Sequence, residues 1–554
     1  MLKLSFRPIV PLLGKVRRGL TSAPVLSRPV RYAFGLGCLQ ACLTLPAIAA
    51  EQVFLNYSVL ERAIPIEDLE LYAREGVLSD ELRAYARYFS EEQLAAFQSS
   101  LLIEADVDVV SISQFLYTPQ GEALLTELGK VIRTGARQPG FSAIRAAVIL
   151  AAADEDGLTL LNVLQQFPTP EIRIDLRRTS QLAREVFNEI NQTEAAVALI
   201  QNQAQQAVEP QPDASVFDWV PLFESGPYTW ETVPFEPAIA NFPVDLYLPQ
   251  IQQAAPVVVI SHGLGGDRVT LAYLARHLAS HGFAVAVIEH PDSSSEQITN
   301  LLAGQTTEVI PPEELVQRPI EIQTLLDALR RQAAADPELQ ARLNLEQIGV
   351  LGQSLGAYTT LALAGANLNR SQLEERCPPS FDSLNLSLLL QCLALQLPDQ
   401  TPELEDNRIQ AAIAINPLGS AIFGKTGYRQ IDIPLMLVSG SADTVTPALA
   451  EQIRPFTWLT KPERYLLLME GGTHFSTLDD PVEEGAIPLP DDVVGPTPEL
   501  ARRYMQAVSL AFFKTYLTAE TGYQTFLTPT YIDLLSRNPL PLSLVRSLPP
   551  EELP

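Results

Sequence analysis

Histidine is scarce, with five in 554 residues, and methionine and cysteine occur only four times each. So few histidines, and cysteines without ligand spacing, supply no metal cluster. Positive charge is short as well: 38 Lys and Arg face 65 Asp and Glu, a formal net charge of −27. Lys3, Arg7, Lys15, Arg17, Arg18, Arg28 and Arg31 fall in the first 49 residues, which hold no acid, so the rest of the chain is more acidic still. A field of that sign repels nucleic acid and anionic membrane surfaces, which excludes nucleic-acid binding. A neutral or zwitterionic lipid needs no attractive field and stays open. Beyond residue 50 no apolar run is long enough to span a bilayer. Apolar residues themselves are plentiful at 47%, which excludes a disordered chain, and the length implies more than one domain.

The N-terminus reads as an address. Residues 1–31 are basic and broken by prolines. An apolar stretch from Tyr32 follows, and the small-residue site Ala47-Ile48-Ala49 precedes Glu51. This is the order of a secretory signal peptide, so residues 1–49 are expected to direct export to the periplasm or the cell exterior. An uncleaved membrane anchor is the alternative. Cys38 and Cys42 would leave with the leader. Cys377 and Cys392 would then face an oxidising compartment, where a bond between them closes a loop worth about 3 kcal/mol in the chain-entropy model. Two buried free thiols are the competing reading.

Residues 51–207 have helical rhythm. Leu78–Phe89 carries apolar residues at helical spacing behind Ser79 as an N-cap. Ser90-Glu-Glu-Gln93 is a capping-box pattern. Ser142–Ala153, Leu158–Phe167 and Thr179–Gln206 continue the series, and a short strand pair fits near Val53–Ile66. No constellation there could do chemistry, so a packing or interaction domain is expected. Residues 208–216, around Glu209-Pro-Gln-Pro-Asp213, read as a linker.

From 217 to 520 short β-rich runs alternate with helical stretches. Val244–Leu248, Pro256–Ser261, Phe283–Ile288, Ile348–Leu351, Ala411–Ile415, Pro434–Val438 and Tyr465–Met469 are nearly continuous apolar runs. A parallel sheet covered on both faces requires such strands, so a doubly wound, mostly parallel α/β domain follows the helical one. Residues 367–407 interrupt the alternation. They read as a lid or pocket wall above the C-terminal strand ends, where ligands bind in open α/β sheets. The tail 521–554 is proline-rich and carries no functional signal.

Gly352-Gln-Ser-Leu-Gly356 lies between a strand and a helical run. In that context its two glycines permit a sharp turn that exposes the Ser354 hydroxyl and leaves the Leu355 N–H free. The other reading is a tight turn whose serine merely caps the helix. A serine nucleophile needs a base and a group that orients the base. After Ser354 the chain holds one histidine, His474, in Glu470-Gly-Gly-Thr-His474. The acid should follow the preceding strand, where Ser439-Gly-Ser-Ala-Asp443 places Asp443; Asp479 and Asp480 come after the histidine and break the order Ser, acid, His. Two N–H donors should face the oxyanion of a tetrahedral intermediate. Leu355 supplies one, and Leu264, in Ser261-His-Gly-Leu-Gly-Gly266, supplies the other. His262 reads as structural, and His277 and His281 as surface residues.

Ser261-His-Gly-Leu-Gly-Gly266, Leu278-Ala-Ser-His-Gly-Phe-Ala-Val-Ala-Val-Ile-Glu-His-Pro-Asp292 and Gly352-Gln-Ser-Leu-Gly356 together resemble the platelet-activating factor acetylhydrolase branch of the α/β-hydrolases, and in part the dienelactone hydrolases. The resemblance spans roughly residues 215–520. It implies Ser354 as nucleophile, His474 as base, Leu264 and Leu355 as oxyanion donors, and a phospholipid with a short or oxidised acyl chain as substrate. One departure stands out. That branch carries its acid after the strand following the nucleophile helix, and here that place reads Ala414-Ile-Asn416-Pro417. Asn416 cannot supply the charge, and the acid moves one strand on, to Asp443. Residues 51–207 also look like an uncharacterised helical domain found ahead of secreted bacterial hydrolases.

The sequence therefore leads to a secreted serine hydrolase of carboxylic esters, small or lipid, with transient contact at a lipid surface and no metal or organic cofactor. A thioesterase or peptidase on the same triad is one alternative. A binding protein on a hydrolase scaffold is another.

Overall fold

The computed structural model describes residues 49–57, 60–105, 107–209, 221–235, 242–377, 385–479 and 491–554. The leader up to residue 48, most of the linker expected at 208–216, Asp480 and part of the 367–407 insertion lie outside the described residues. Residues 50–554 form one compact unit.

Its first part is helical around a small core of its own, with Leu101, Leu125, Ala147, Leu161 and Ile172 among the buried side chains. Ser79 caps the helix Asp80–Ala86, and Ser90 and Gln93 form both bonds of the capping box on Glu91–Leu102. Strands β1 (Gln52–Tyr57) and β2 (Leu60–Pro65) pair antiparallel. Further short strands, β3 (Glu104–Ala105), β4 (Ile132–Thr134), β5 (Leu158–Thr159) and β6 (Glu171–Asp175), had no signal of comparable length in the sequence. They complete a four-stranded sheet in the order β2-β1-β6-β4 and a two-stranded one. The helix Leu176–Gln206 leads out of this part. Its Ala196, Val197, Ile200 and Ala204 join the core of the large sheet that follows.

That sheet comprises β7 (Trp230–Phe235), β8 (Val244–Pro249), β9 (Ala255–Ser261), β10 (Ala284–Ile288), β11 (Leu343–Gln353), β12 (Ile409–Ile415), β13 (Leu435–Gly440), β14 (Arg464–Met469) and β15 (Leu542–Val545), in the order β15-β14-β13-β12-β11-β9-β10-β8-β7. The six central strands are parallel, and both edges close antiparallel. Side chains alternate between two cores, as a sheet packed on both faces demands. Val257 and Val259 of β9 enter one cluster, Val258 and Ile260 the other.

The helix Glu314–Ala335 contains Pro319, which has no N–H for the Leu315 carbonyl. Tyr358 Oη donates to that carbonyl at 2.7 Å, so the helix continues with its orphan acceptor satisfied by the helix Leu355–Leu363 behind it.

The 367–407 insertion reaches the C-terminal strand ends: the Ser387 N–H donates to the Val445 carbonyl, two residues past Asp443, at 3.1 Å. Cys377 and Cys392 are disulfide-bonded within it. Its anchor is Glu451, on a single π-helical turn, Leu449–Ile453, wide enough to bury both Glu451 and Gln452. The Glu451 carboxylate accepts from Gly419 N and Ser420 N at 2.9 Å each, from Ser420 Oγ at 2.6 Å, from Gln391 Nε2 at 3.0 Å and from Asn385 Nδ2. Removing it would take an acceptor from five buried donors and leave the Gly419 and Ser420 N–H groups with none among the described residues. Glu451→Ala is therefore expected to cost about 3–4 kcal/mol in urea unfolding and to open residues 385–397 to protease. An unchanged midpoint would show that water replaces the carboxylate at little cost.

Candidate active site

The turn at Ser354 is built from backbone constraints. Ser354 sits at φ 56°, ψ −117°, a region costly for any side chain. A Cβ on Gly352 would run into the Gly356 carbonyl, and one on Gly356 into that of Ser261, so only glycine fits at either position. The strained turn is fastened at both ends: Ser354 N donates to Ile415 O at 2.9 Å, and Tyr358 N to Ser354 O at 3.0 Å.

The other two side chains arrive from neighbouring strand ends. Asp443 follows β13. Its Oδ1 accepts from Val445 N at 2.8 Å and Thr446 N at 2.7 Å, and its Oδ2 accepts from Thr446 Oγ1 at 2.7 Å. His474 follows β14, and its backbone carbonyl accepts from Gln353 Nε2 at 3.0 Å. His474 Nδ1 lies 2.7 Å from Asp443 Oδ2, and His474 Nε2 lies 2.9 Å from Ser354 Oγ. A carboxylate only accepts, so Nδ1 carries the proton and Nε2 is left to accept from the serine hydroxyl. Ser354 is 6% and His474 4% exposed. The three residues singled out in the sequence thus meet in one hydrogen-bonded line at the C-terminal ends of β11, β13 and β14.

Asn416, at the position where the related branch carries its acid, has another job. Its Nδ2 donates to the Thr473 carbonyl at 3.2 Å and its Oδ1 accepts from Gly440 N at 3.0 Å. The amide ties the histidine loop to the acid's strand.

Leu355 is the first residue of its helix, where an N–H has no intrahelical partner. Leu264 lies in the loop after β9, which packs directly on the elbow: a Cβ on Gly263 would sit 3.3 Å from Ser354 Cβ. Among the described residues neither the Leu264 nor the Leu355 N–H is taken by a protein acceptor. Among those residues, too, no three His, Cys, Asp or Glu side chains gather as metal ligands, and no helix is long and apolar enough to cross a membrane.

Comparison with known proteins agrees with this architecture. A family model described as an alpha/beta hydrolase of unknown function (DUF1400) matches residues 49–175, and one described as platelet-activating factor acetylhydrolase, isoform II, matches residues 237–384. Cutinase 1 of Thermobifida cellulosilytica is 22% identical over 292 residues, 51% of this chain and 77% of its own. The chain belongs to the α/β-hydrolase superfamily. A cutinase of Thermobifida fusca is likewise 22% identical to this hydrolase, over 67% of its own length. The platelet-activating factor acetylhydrolase of Canis lupus familiaris is 52% identical, over 40 residues that make up 9% of that protein.

Two histidines of the hydrolase are not where the sequence suggested. His277 and His281, expected on the surface, are buried, with ring centroids 4.8 Å apart. Their helix, Ala272–Ser280, is covered on its outer side by residues 221–228: Gly226 N donates to Ser280 Oγ at 2.8 Å, and the Glu224 carbonyl lies 3.0 Å from His281 Nε2. Desolvation pushes His277 down to about 3, so its ring is neutral. His262 is structural in the sense expected. His290 N donates to its Nε2 at 3.0 Å, so the proton sits on Nδ1, 2.6 Å from the Gly263 carbonyl. Burial, with Arg318 nearby, holds His262 down at about 3. Sequence reasoning missed His290, Arg318 and Glu321 altogether.

Proposed function

We propose that this protein is an exported serine hydrolase that cleaves carboxylic esters through an acyl-enzyme. The observation that carries the reading is the unbroken line from Asp443 Oδ2 through His474 to Ser354 Oγ, with links of 2.7 and 2.9 Å, beside two N–H groups that meet no acceptor among the described residues. In the first half-reaction Ser354 Oγ attacks the ester carbonyl carbon while its proton passes to His474 Nε2. The carbonyl oxygen becomes an oxyanion facing the N–H groups of Leu355 and Leu264. Asp443 holds the imidazole's tautomer and balances the imidazolium. The intermediate collapses, His474 returns the proton to the departing alkoxide, and the acyl group remains on Ser354. In the second half-reaction water, deprotonated by His474, releases the acid by the same route. No step needs a metal or cofactor.

Two lines of relationship support an ester: the cutinases, whose name points to cutin, and the acetylhydrolase family, whose name points to an acetylated lipid mediator. The surface charge favours an uncharged or zwitterionic ester, small or in a lipid, met at a lipid surface only transiently. The Cys377–Cys392 bond supports an oxidising compartment. The test uses one acyl group presented as ester, thioester and amide, followed by an ester series of increasing acyl length. Preferential turnover of the ester is expected. An amide cleaved as fast as the matched ester would make the protein a peptidase on this scaffold. Activity confined to short soluble esters would remove the lipid part of the proposal.

A further inference from the structure

Beneath the loop that carries Leu264 lies a second line of serine, histidine and glutamate side chains. Ser261 Oγ is 2.9 Å from His290 Nε2, and His290 Nδ1 is 2.6 Å from Glu321 Oε2. These distances match the catalytic line, yet this one cannot attack a substrate. Ser261 and His290 are wholly buried, and Ser261 Oγ accepts from Arg318 Nη2 at 3.1 Å.

Arg318 explains the arrangement. It is 0% exposed and is the largest fully buried side chain among the described residues. Its Nη2 also donates to the His262 carbonyl, its Nη1 to Ser293 Oγ at 2.8 Å, and its Nε to Thr359 Oγ1 at 3.2 Å. The Ser293 carbonyl in turn accepts from Gly265 N at 2.8 Å, and Thr359 Oγ1 donates to the Leu355 carbonyl at 3.0 Å. One planar guanidinium therefore grips both elements that hold the free N–H groups: the loop of Leu264 and the helix that begins at Leu355. Two acids lie behind it, Glu314 bonded to the Ser293 hydroxyl and Glu321 linked through His290 and Ser261. Desolvation pulls Arg318 down to about 10, so it remains cationic near neutral pH, and burial with the neighbouring Glu314 pushes Glu321 up to about 8. Burying such a group is costly, and an apolar side chain of similar volume would pack as well. What an apolar side chain could not do is fix the distance between a loop and a helix through a rigid fork of donors.

We propose that Arg318 is a positioning residue that sets the spacing of the Leu264 and Leu355 N–H groups, held in place by the Ser261–His290–Glu321 line. The inference rests on the triad reading given above. It is tested on the full chain with Arg318→Lys, Thr359→Val and Ser261→Ala. The readouts are kcat and KM on a short-chain p-nitrophenyl ester, corrected to sites titrated by a fluorophosphonate, and the affinity of a trifluoromethyl ketone, which forms a tetrahedral adduct on the serine. Losing one oxyanion donor outright costs about 10²–10³ in rate, so a displaced donor in Arg318→Lys is expected to lower kcat about 10- to 100-fold. KM should stay nearly constant, and ketone affinity should fall by the same factor as kcat. Thr359→Val and Ser261→Ala keep the guanidinium and should show the same pattern more weakly; they decide the matter if Arg318→Lys does not fold. Variants with normal kcat and ketone affinity per titrated site, and only a lower Tm or fewer titratable sites, would make the network purely structural and overturn the inference. A wild-type protein that neither turns over esters nor is labelled would bring down the triad reading, and this inference with it.

Discussion

Ser354→Ala is expected to lower ester turnover by about 10⁶-fold, the loss typical when a serine nucleophile acting within a triad is removed. Fluorophosphonate labelling should vanish with it. Fold stability should not suffer, because the Ser354 hydroxyl makes one hydrogen bond, to His474, while its backbone is held in a strained conformation at φ 56°. Ser354→Gly sharpens the point. Glycine tolerates that conformation, and the strain at such a residue is about 1–3 kcal/mol, so after glycine's greater unfolded-state entropy a gain of about 1 kcal/mol is expected. Thermal melts and turnover on the two variants would show function and stability parting at a single residue. Residual labelling of Ser354→Ala would mean that another nucleophile is reached.

The second large effect is expected at Asp443. Asp443→Asn keeps the shape but exchanges one acceptor for a donor. The backbone N–H groups of Val445 and Thr446 require an acceptor at Oδ1, so the amide NH₂ would face Thr446 Oγ1 and His474 Nδ1. A donor there turns Nδ1 into an acceptor and moves the imidazole proton to Nε2, facing the serine. That tautomer cannot take the serine's proton, and a loss in kcat of about 10⁴-fold is expected with KM little changed. Because the three residues act as a unit, adding Asp443→Asn to Ser354→Ala should cost almost nothing more. Independent, multiplying losses in the double variant would mean that Asp443 works outside the line drawn here.

The parts of the molecule that could be read from the sequence share a physical cause. Strands β8 to β14 are buried on both faces, so their residues must be apolar almost without interruption, and a run such as Val257–Ile260 announces itself. The edges are harder to read, one because it is exposed and the other, though buried, because it is short. Strand β7 exposes Glu231, Thr232 and Val233, and β15 is four residues inside a proline-rich tail, so neither had a pattern to recognise. The hydrogen-bonded line of Ser354, His474 and Asp443 could be anticipated because the proposed chemistry restricts residue type and order, and because one histidine followed the serine. Arg318 was not legible. A charged residue in a helix is ordinarily a solvated one, and nothing local in Leu315-Val-Gln-Arg318 says that a loop, a second helix and another strand's turn converge on it. The buried His277 and His281 escaped for a similar reason, since the segment that covers them lies some 50 residues earlier in the chain.

The long helix Leu176–Gln206 bears on how this protein could be cut. Its first half belongs to the N-terminal region. In its last turns Ile200 and Ala204 are sealed against the catalytic sheet, and Gln203 Nε2 donates to the Ser547 carbonyl beside β15 at 2.8 Å. A minimal catalytic fragment beginning after this helix would bare an oily seam on one sheet face and loosen the short strand that shields β14, leaving a ladder of open backbone groups on which other chains could stack. The shortest well-behaved fragment should therefore begin upstream of the helix, with the N-terminal region kept as part of the catalytic body.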